Sequence, residues 1–187
     1  MTKNSVSFLI LLGFIGQGSC KQKNDSENAL LTSYRLMNAM ERVDSYYIVK
    51  NPTLKSFIAK AKLKNVEPET LEIGHIIGQS DTLIYKIKES KNEINSIRQL
   101  RETEVKIRAI EFLEHMKKFE LQTQEVLKQL TDNDPLNDKD NTKAYSETIQ
   151  EFSNKHSEYQ SALSLFFQKN GINQKQVDSI VQRIKNK

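Results

Sequence analysis

The sequence predicts an all-α protein, an elongated antiparallel helical bundle with a long central helix. Three observations carry this. Punctuation is scarce: 187 residues contain only 6 glycines and 3 prolines, and neither type occurs between Gly78 and Pro135. Apolar residues recur at alternating steps of three and four in several segments, the period that places them on one face of a helix. Lysine, arginine, aspartate and glutamate are interspersed between those positions, as on solvated helix faces.

Each element follows from its own pattern. From about Ala29 to Lys50, the residues Ala29, Leu36, Met40, Val43 and Tyr47 form a stripe that Leu30, Tyr34 and Met37 widen. Asn51-Pro52 ends it, because proline disfavours a helical residue before it and has no amide hydrogen to donate. Thr53 can cap a short helix over 54–63 that would bury Leu54, Phe57, Ile58 and Ala61. After Pro68, one face carries Ile73, Ile77, Ser80, Ile84 and Ile87, and a second, longer stripe runs Val105, Ala109, Phe112, Met116, Phe119, Thr123, Val126 and Leu130. The two keep almost the same phase through the polar stretch Lys88 to Glu104. That leaves two readings: one long helix from about Thr70 to Leu130, roughly 90 Å at 1.5 Å per residue, or a tight break near Asn92 to Ser96. Asparagine and serine break helices only weakly, which favours the single helix, kinked or straight.

The segment from Thr131 to Thr142 reads as a loop, with Pro135 and several Asp and Asn residues. Tyr145, Ile149, Phe152, His156, Tyr159, Leu163 and Phe166 then share a helical face. Gly171 suits a left-handed helix cap, and Asn173 with Gln176 resembles a capping box for a last helix bearing Val177, Ile180, Val181 and Ile184. Residues 29–187 are expected to form a single helical domain.

The formal net charge is +4, and its mixed signs argue against the concentrated basic face of a nucleic-acid binder. Catalytic signatures are missing: no nucleophile elbow, phosphate-binding glycine loop, His-Glu-x-x-His or paired cysteines. Glu72 and His75 have the Glu-x-x-His spacing of di-iron bundles, but that chemistry needs the motif on two helices, and His75 falls off the apolar stripe. Glu111 and His115, one turn apart, lie at the flank of theirs. Asp132, Asp134, Asp138 and Asp140 suggest calcium, yet an EF-hand starting at Asp132 would need glycine and a carboxylate where Asn137 and Lys143 stand. Gly74 and Gly78 either let a neighbouring helix approach closely or locally weaken their own helix. His156 sits on an apolar face, as a buried imidazole hydrogen-bonded to a neighbouring helix or as a ligand. Tyr145 and Tyr159 flank it, so these three mark a buried polar site. Neither a cofactor nor a metal is expected, and no enzymatic activity.

The N-terminus carries the most specific signal. One positive side chain, Lys3, precedes an apolar run from Val6 to Ile15, which is too short for a membrane span of about 20 residues and has the layout of a secretory signal. Cys20, the only cysteine, follows directly after Gln17, Gly18 and Ser19. Secreted proteins generally use cysteines in pairs, so a single one at a cleavage point is better explained by acylation. The junction Gln17-Gly18-Ser19-Cys20 resembles the lipobox of bacterial lipoproteins, with Gln17 where an aliphatic residue is usual. The resemblance implies that residues 1–19 are removed and that Cys20 becomes a diacylglycerol-modified first residue. Loss of Lys3 lowers the net charge by one. Residues 20–28 then form a polar tether. An aspartate after the cysteine commonly marks inner-membrane retention in Gram-negative lipoproteins. Lys21 stands there instead, which implies the outer membrane facing the periplasm, or the cell surface.

Leu36-Met37-Asn38, residues 51–61 and the run from Gln79 to Lys88 loosely resemble the N-terminal periplasmic helices of gliding-motility and type IX secretion core subunits. This implies a place in an envelope-spanning secretion apparatus and transfers no functional residue. Together these observations lead to a membrane-anchored helical scaffold or adaptor, held through lipid on Cys20 and presenting helical faces to a protein partner or a second copy of itself. Two other classes fit the same chain: a ligand- or metal-binding periplasmic lipoprotein with its site near His156, Tyr145 and Tyr159, and an envelope immunity or inhibitor protein.

Overall fold

The computed structural model describes residues 27–47, 70–129 and 139–186. The expected leader, Cys20 and most of its tether, the 54–63 helix and most of the Asp-rich loop lie outside them. All the regular structure among the described residues is helical: α1 (27–47), α2 (Thr70–Ser96), a 3-10 turn (Arg98–Leu100), α3 (Glu104–Gln129), α4 (Lys139–Lys169) and α5 (Gln174–Lys185). The expectation of an all-α helical bundle holds.

Contacts between elements fix the topology. Arg35 and Ala39 of α1 meet Glu93 and Ser90 of α2, so residue numbers fall on one helix as they rise on the other. The same antiparallel relation links α2 to α3 through Ser80 with Glu120 and Lys91 with Glu114. It also links α3 to α4 through Arg108 with Glu158 and Lys118 with Glu151. Tyr47 of α1 stacks near Phe152 of α4, which closes the ring. The result is an up-down-up-down four-helix bundle. Its longest helix, α4, has 31 residues and therefore spans roughly 46 Å.

The single 70–130 helix does not occur. The chain turns between Ser96 and Glu104 without glycine or proline, slightly beyond the Asn92–Ser96 break that was the second reading. Ile97 is extended at φ −78° and ψ 98°, Glu102 is left-handed at φ 61°, and the Thr103 carbonyl accepts the Ile107 amide to begin α3. Burial explains why this backbone is tolerated. Ile97, Leu100 and Val105 are all at most 2 % exposed, so the turn itself plugs the end of the core. Their removal from water offsets the cost of about 1–2 kcal/mol for one left-handed non-glycine residue. The in-phase stripes on α2 and α3 are two faces folded against each other.

The core also includes positions that the stripes omitted. On α2 the buried series is Ile73, Ile76, Ser80, Leu83, Ile87, Ser90 and Ile94, so Ile76 and Leu83 replace Ile77 and Ile84, and the supposedly polar stretch after Lys88 supplies Ser90 and Ile94. On α3, Leu127 rather than Val126 continues the buried face. Leu113, Glu120 and Gln124 are buried as well, because α3 has neighbours on two sides. The Ser90 hydroxyl donates to the Ala39 carbonyl at 2.6 Å. Both residues are 0 % exposed, so two small side chains permit the close α1–α2 approach.

Gly74 and Gly78 do not serve that purpose: both are exposed, and an added Cβ would meet nothing within 4 Å at either position. Replacing both by alanine should raise the unfolding free energy by about 1–2 kcal/mol, since each glycine costs about 1 kcal/mol in a helix interior. Thermal melts of the double variant and its parent check this; an unchanged or lower midpoint refutes it.

The expected caps are present. Gly171 has φ 65°, the Ile172 amide donates to the Phe167 carbonyl and the Gly171 amide to that of Gln168, which is the Schellman arrangement. Asn173 and Gln176 exchange side-chain and backbone hydrogen bonds as a capping box. These two devices turn α5 back against the bundle, where Ile180 is buried and the Arg183 guanidinium lies 5.0 Å from the Tyr34 ring centroid on α1. The α4 helix starts at Lys139, inside the segment expected to be loop.

Candidate functional site

The chemistry-bearing side chains gather where α1, α3 and α4 meet. Phe112 of α3 is 1 % exposed. Its ring centroid lies 5.3 Å from that of Phe152, 5.0 Å from His156 and 6.0 Å from Tyr159, all on α4. Phe152 in turn approaches Tyr47 of α1 at 5.6 Å and Phe119 at 5.8 Å. Aromatic pairs at these separations add attraction beyond their buried area, and this cluster ties three helices together.

Of the expected buried polar site, Tyr159 is buried, at 3 % exposure. His156 is exposed, which corrects the expectation of a buried imidazole. The buried face of α4 runs through Thr148, Tyr159, Ala162 and Leu163, turned slightly from the expected stripe, so His156 lies on its rim. There its ring rests on Phe112 while Nε2 is 3.3 Å from the Gln160 amide nitrogen. Ile149, on the same expected face, is likewise exposed. Tyr145 belongs to α4, but its side chain lies outside the described residues.

What joins Tyr159 is a residue that the apolar pattern passed over. Asp44 of α1 follows the fully buried Val43, is itself half-buried, and its charge acts on Tyr159. Burial, with a smaller contribution from Glu41, raises the Asp44 carboxyl from an ordinary 3.8 to about 6. Burial, with a contribution from the Asp44 charge, also pushes the Tyr159 phenol upward. The only advance sign of this pair was the position of Asp44 beside an apolar stripe, which a solvated acid would share.

The second polar feature is a charged network on the α3–α4 surface. Arg108 bonds to Glu111 and Glu158 at 3.0 Å each, and Lys155 to Glu158 at 2.9 Å. The Arg108 guanidinium, foremost through its hydrogen bond, holds the Glu111 carboxyl below the usual range. This compensated network borders an open groove of about 430 Å³ lined by Glu104, Arg108, Ser157, Glu158, Ser161 and Leu165. The His115 Nδ1–H donates to the Glu111 carbonyl of its own helix, 2.9 Å away, so Glu111 and His115 do not converge on a common point. His75 is exposed beside Gln79. Among the described residues, no three His, Cys, Asp or Glu side chains cluster as metal ligands would.

A third polar group lies inside the bundle. The Ser80 hydroxyl donates to the Glu120 carboxylate at 2.6 Å, and Gln124 donates to Asp81 at 2.7 Å. With buried Thr123, they separate the main core from a smaller one formed by Ile73, Ile76 and Leu127. A cross-helix polar layer of this kind specifies the register of two helices, since sliding α2 against α3 would take the buried Glu120 carboxylate away from Ser80.

The fold therefore defines an all-helical bundle whose polar groups are engaged mainly with one another. No described helix is long and apolar enough to cross a membrane. The chain matches no protein-family model, no curated protein and no solved structure.

Proposed function

We propose that this protein is a lipid-anchored, non-enzymatic scaffold or adaptor of a bacterial cell-envelope assembly, a secretion or motility apparatus being the particular setting. The observation that carries the reading is Cys20, a lone cysteine placed after an apolar leader and two small residues. The bundle geometry supports it. Residue 27 is already helical, and the seven residues from Cys20 to that point reach at most about 25 Å when extended. An acylated Cys20 would thus hold the α1 end of the bundle close to the bilayer. Long exposed helical faces would remain for a subunit or a second copy of the chain.

The test is crosslinking and mass spectrometry of the tagged native protein from detergent-solubilised membranes, beside Cys20→Ala. The expected result is membrane fractionation and stoichiometric envelope subunits with the native chain, and loss of both in the variant. A single acyl chain binds membranes only marginally, whereas two anchor stably, so the expected mass is that of a mature N-terminus at Cys20 carrying a diacylglycerol on its thiol. Identical fractionation and partners for both forms would refute the anchored scaffold.

A further inference from the structure

Positive and negative side chains are interspersed in the sequence, but folding sorts them. Arg35 reaches Ser96 at 3.0 Å, so α1 begins where α2 ends, and the Arg108–Glu158 pair sets the close of α4 beside the start of α3. The start of α1, the α2–α3 turn and the α4–α5 junction therefore share one end of the bundle, and α5 lies against it with Arg183 over Tyr34. Residues 27–31, 97–106 and 168–186, which make up this end, carry seven lysines and arginines against four acids, whereas the other described residues carry twelve against fourteen. The two connections at the opposite end, 48–69 and 130–138, bring net charges of +3 and −3 that cancel. Ion pairing follows the same division. Along the waist Lys86, Lys91, Lys118 and Lys155 each hold a carboxylate. At the end, Arg98, Lys169, Lys175 and Lys185 are exposed with no carboxylate among the described residues paired to them, and Arg101 has only the adjacent Glu102, at 3.6 Å.

We propose that this end of the bundle is a second membrane contact, a basic surface that rests on the phosphate-rich face of an anionic bilayer. The inference builds on the anchored reading above, because a chain of at most about 25 Å from Cys20 to residue 27 would hold this end at headgroup level. Lysines and arginines gain from a negative surface potential only within about a Debye length, roughly 10 Å in 0.1 M salt. Only cations at the tethered end can use it. Leu31, Ile107 and Leu165 add to the surface: each is exposed and lies within four residues of a helix terminus at this end. Apolar side chains among cations strengthen contact with headgroups by burying area there. The bundle then stands on this end, with the opposite end turned away from the lipid.

Amine acetylation of the native protein tests this, on vesicles of phosphatidylcholine alone and on vesicles enriched in phosphatidylglycerol. The anionic vesicles should slow acetylation of Lys169, Lys175 and Lys185 about threefold, the factor by which such a surface enriches protons and keeps nearby amines charged. Lys88 and Lys117, exposed along the waist, should react equally on both, and about 1 M salt should remove the difference by shortening the screening length to about 3 Å. Arg98→Gln with Arg101→Gln, two cations that acetylation does not touch, should lessen the slowing. Lys88→Gln with Lys117→Gln, the same charge change elsewhere, should not. Equal slowing at Lys88 and Lys117, no difference between the vesicles, or equal effects of the two double variants overturns the proposal. Failure of the anchored reading is distinct, since the native protein would then leave phosphatidylcholine vesicles altogether. With free protein as the reference, slowing confined to this end on anionic vesicles would still uphold the basic surface, and its absence would overturn it.

Discussion

Phe112→Ala is expected to lower the free energy of unfolding by about 3–5 kcal/mol, the range for truncating a buried phenylalanine. The ring is 1 % exposed and contacts three aromatic rings of α4, so its loss opens a void at the junction of three helices. The walls of that void cannot easily close, because Phe152 is itself held by neighbouring helices, by Tyr47 of α1 and Phe119 of α3. Phe112→Leu keeps most of the apolar area and should cost markedly less. Denaturant titrations with linear extrapolation measure both. A loss below about 1 kcal/mol for alanine would mean that the cluster rearranges around the gap and is not the clamp described above.

A comparable effect is expected from Ile97→Ala with Leu100→Ala. Each side chain is at most 1 % exposed, and each truncation costs about 2–5 kcal/mol. Because the two are neighbours their effects need not add, and a combined loss on the order of 4–8 kcal/mol approaches the whole stability of an ordinary domain. The consequence is also topological. These side chains give the chain its reason to leave helical geometry at Ile97 and to hold Glu102 at φ 61°. Without them the in-phase stripes of α2 and α3 are free to run on as one helix, opening the hairpin and inviting exchange of α3 and α4 between two chains. Light scattering should report dimers or larger species beside a broadened unfolding transition. A monomer with native-like stability would show that the turn is imposed by residues other than these plugs.

The predicted central helix fails at this same place. Periodicity reports which face of a helix is apolar, and α2 and α3 share nearly one phase, so nothing in the pattern distinguishes a continuous rod from a hairpin. The signals that usually mark a turn are glycine and proline, and here the turn is made by Arg101, Glu102 and Thr103. Burial of Ile97, Leu100 and Val105 acts in their place, and burial exists only once the neighbouring helices are present.

Polar core positions were hidden for a related reason. Ser80 fell on the predicted α2 face, but Glu120 and Ser90 appeared solvated because an acid or a serine on a helix usually is. Each becomes a core residue through a partner on another helix: Ser80 for Glu120, and the Ala39 carbonyl for Ser90. Asp44 is only half-buried, but its charge likewise acts across a helix boundary, on Tyr159. His156 erred in the opposite direction. Its position on a helical stripe suggested burial, and a small rotation of α4 about its axis leaves it on the rim.

Local chemistry alone determined a good deal. The scarcity of breakers and the three–four spacing established helices throughout the described chain, and Gly171 with the Asn173–Gln176 pair placed the α4–α5 junction where it occurs. Those features depend on a residue and its neighbours within a turn or two, a range over which backbone sterics and capping hydrogen bonds decide. Tertiary structure alone decided that 70–129 is a hairpin, which small residues bring α1 against α2, and that Glu120 lies in the core and His156 outside it. Each of these depends on what a second helix removes from water, and that free energy is not encoded at any single position.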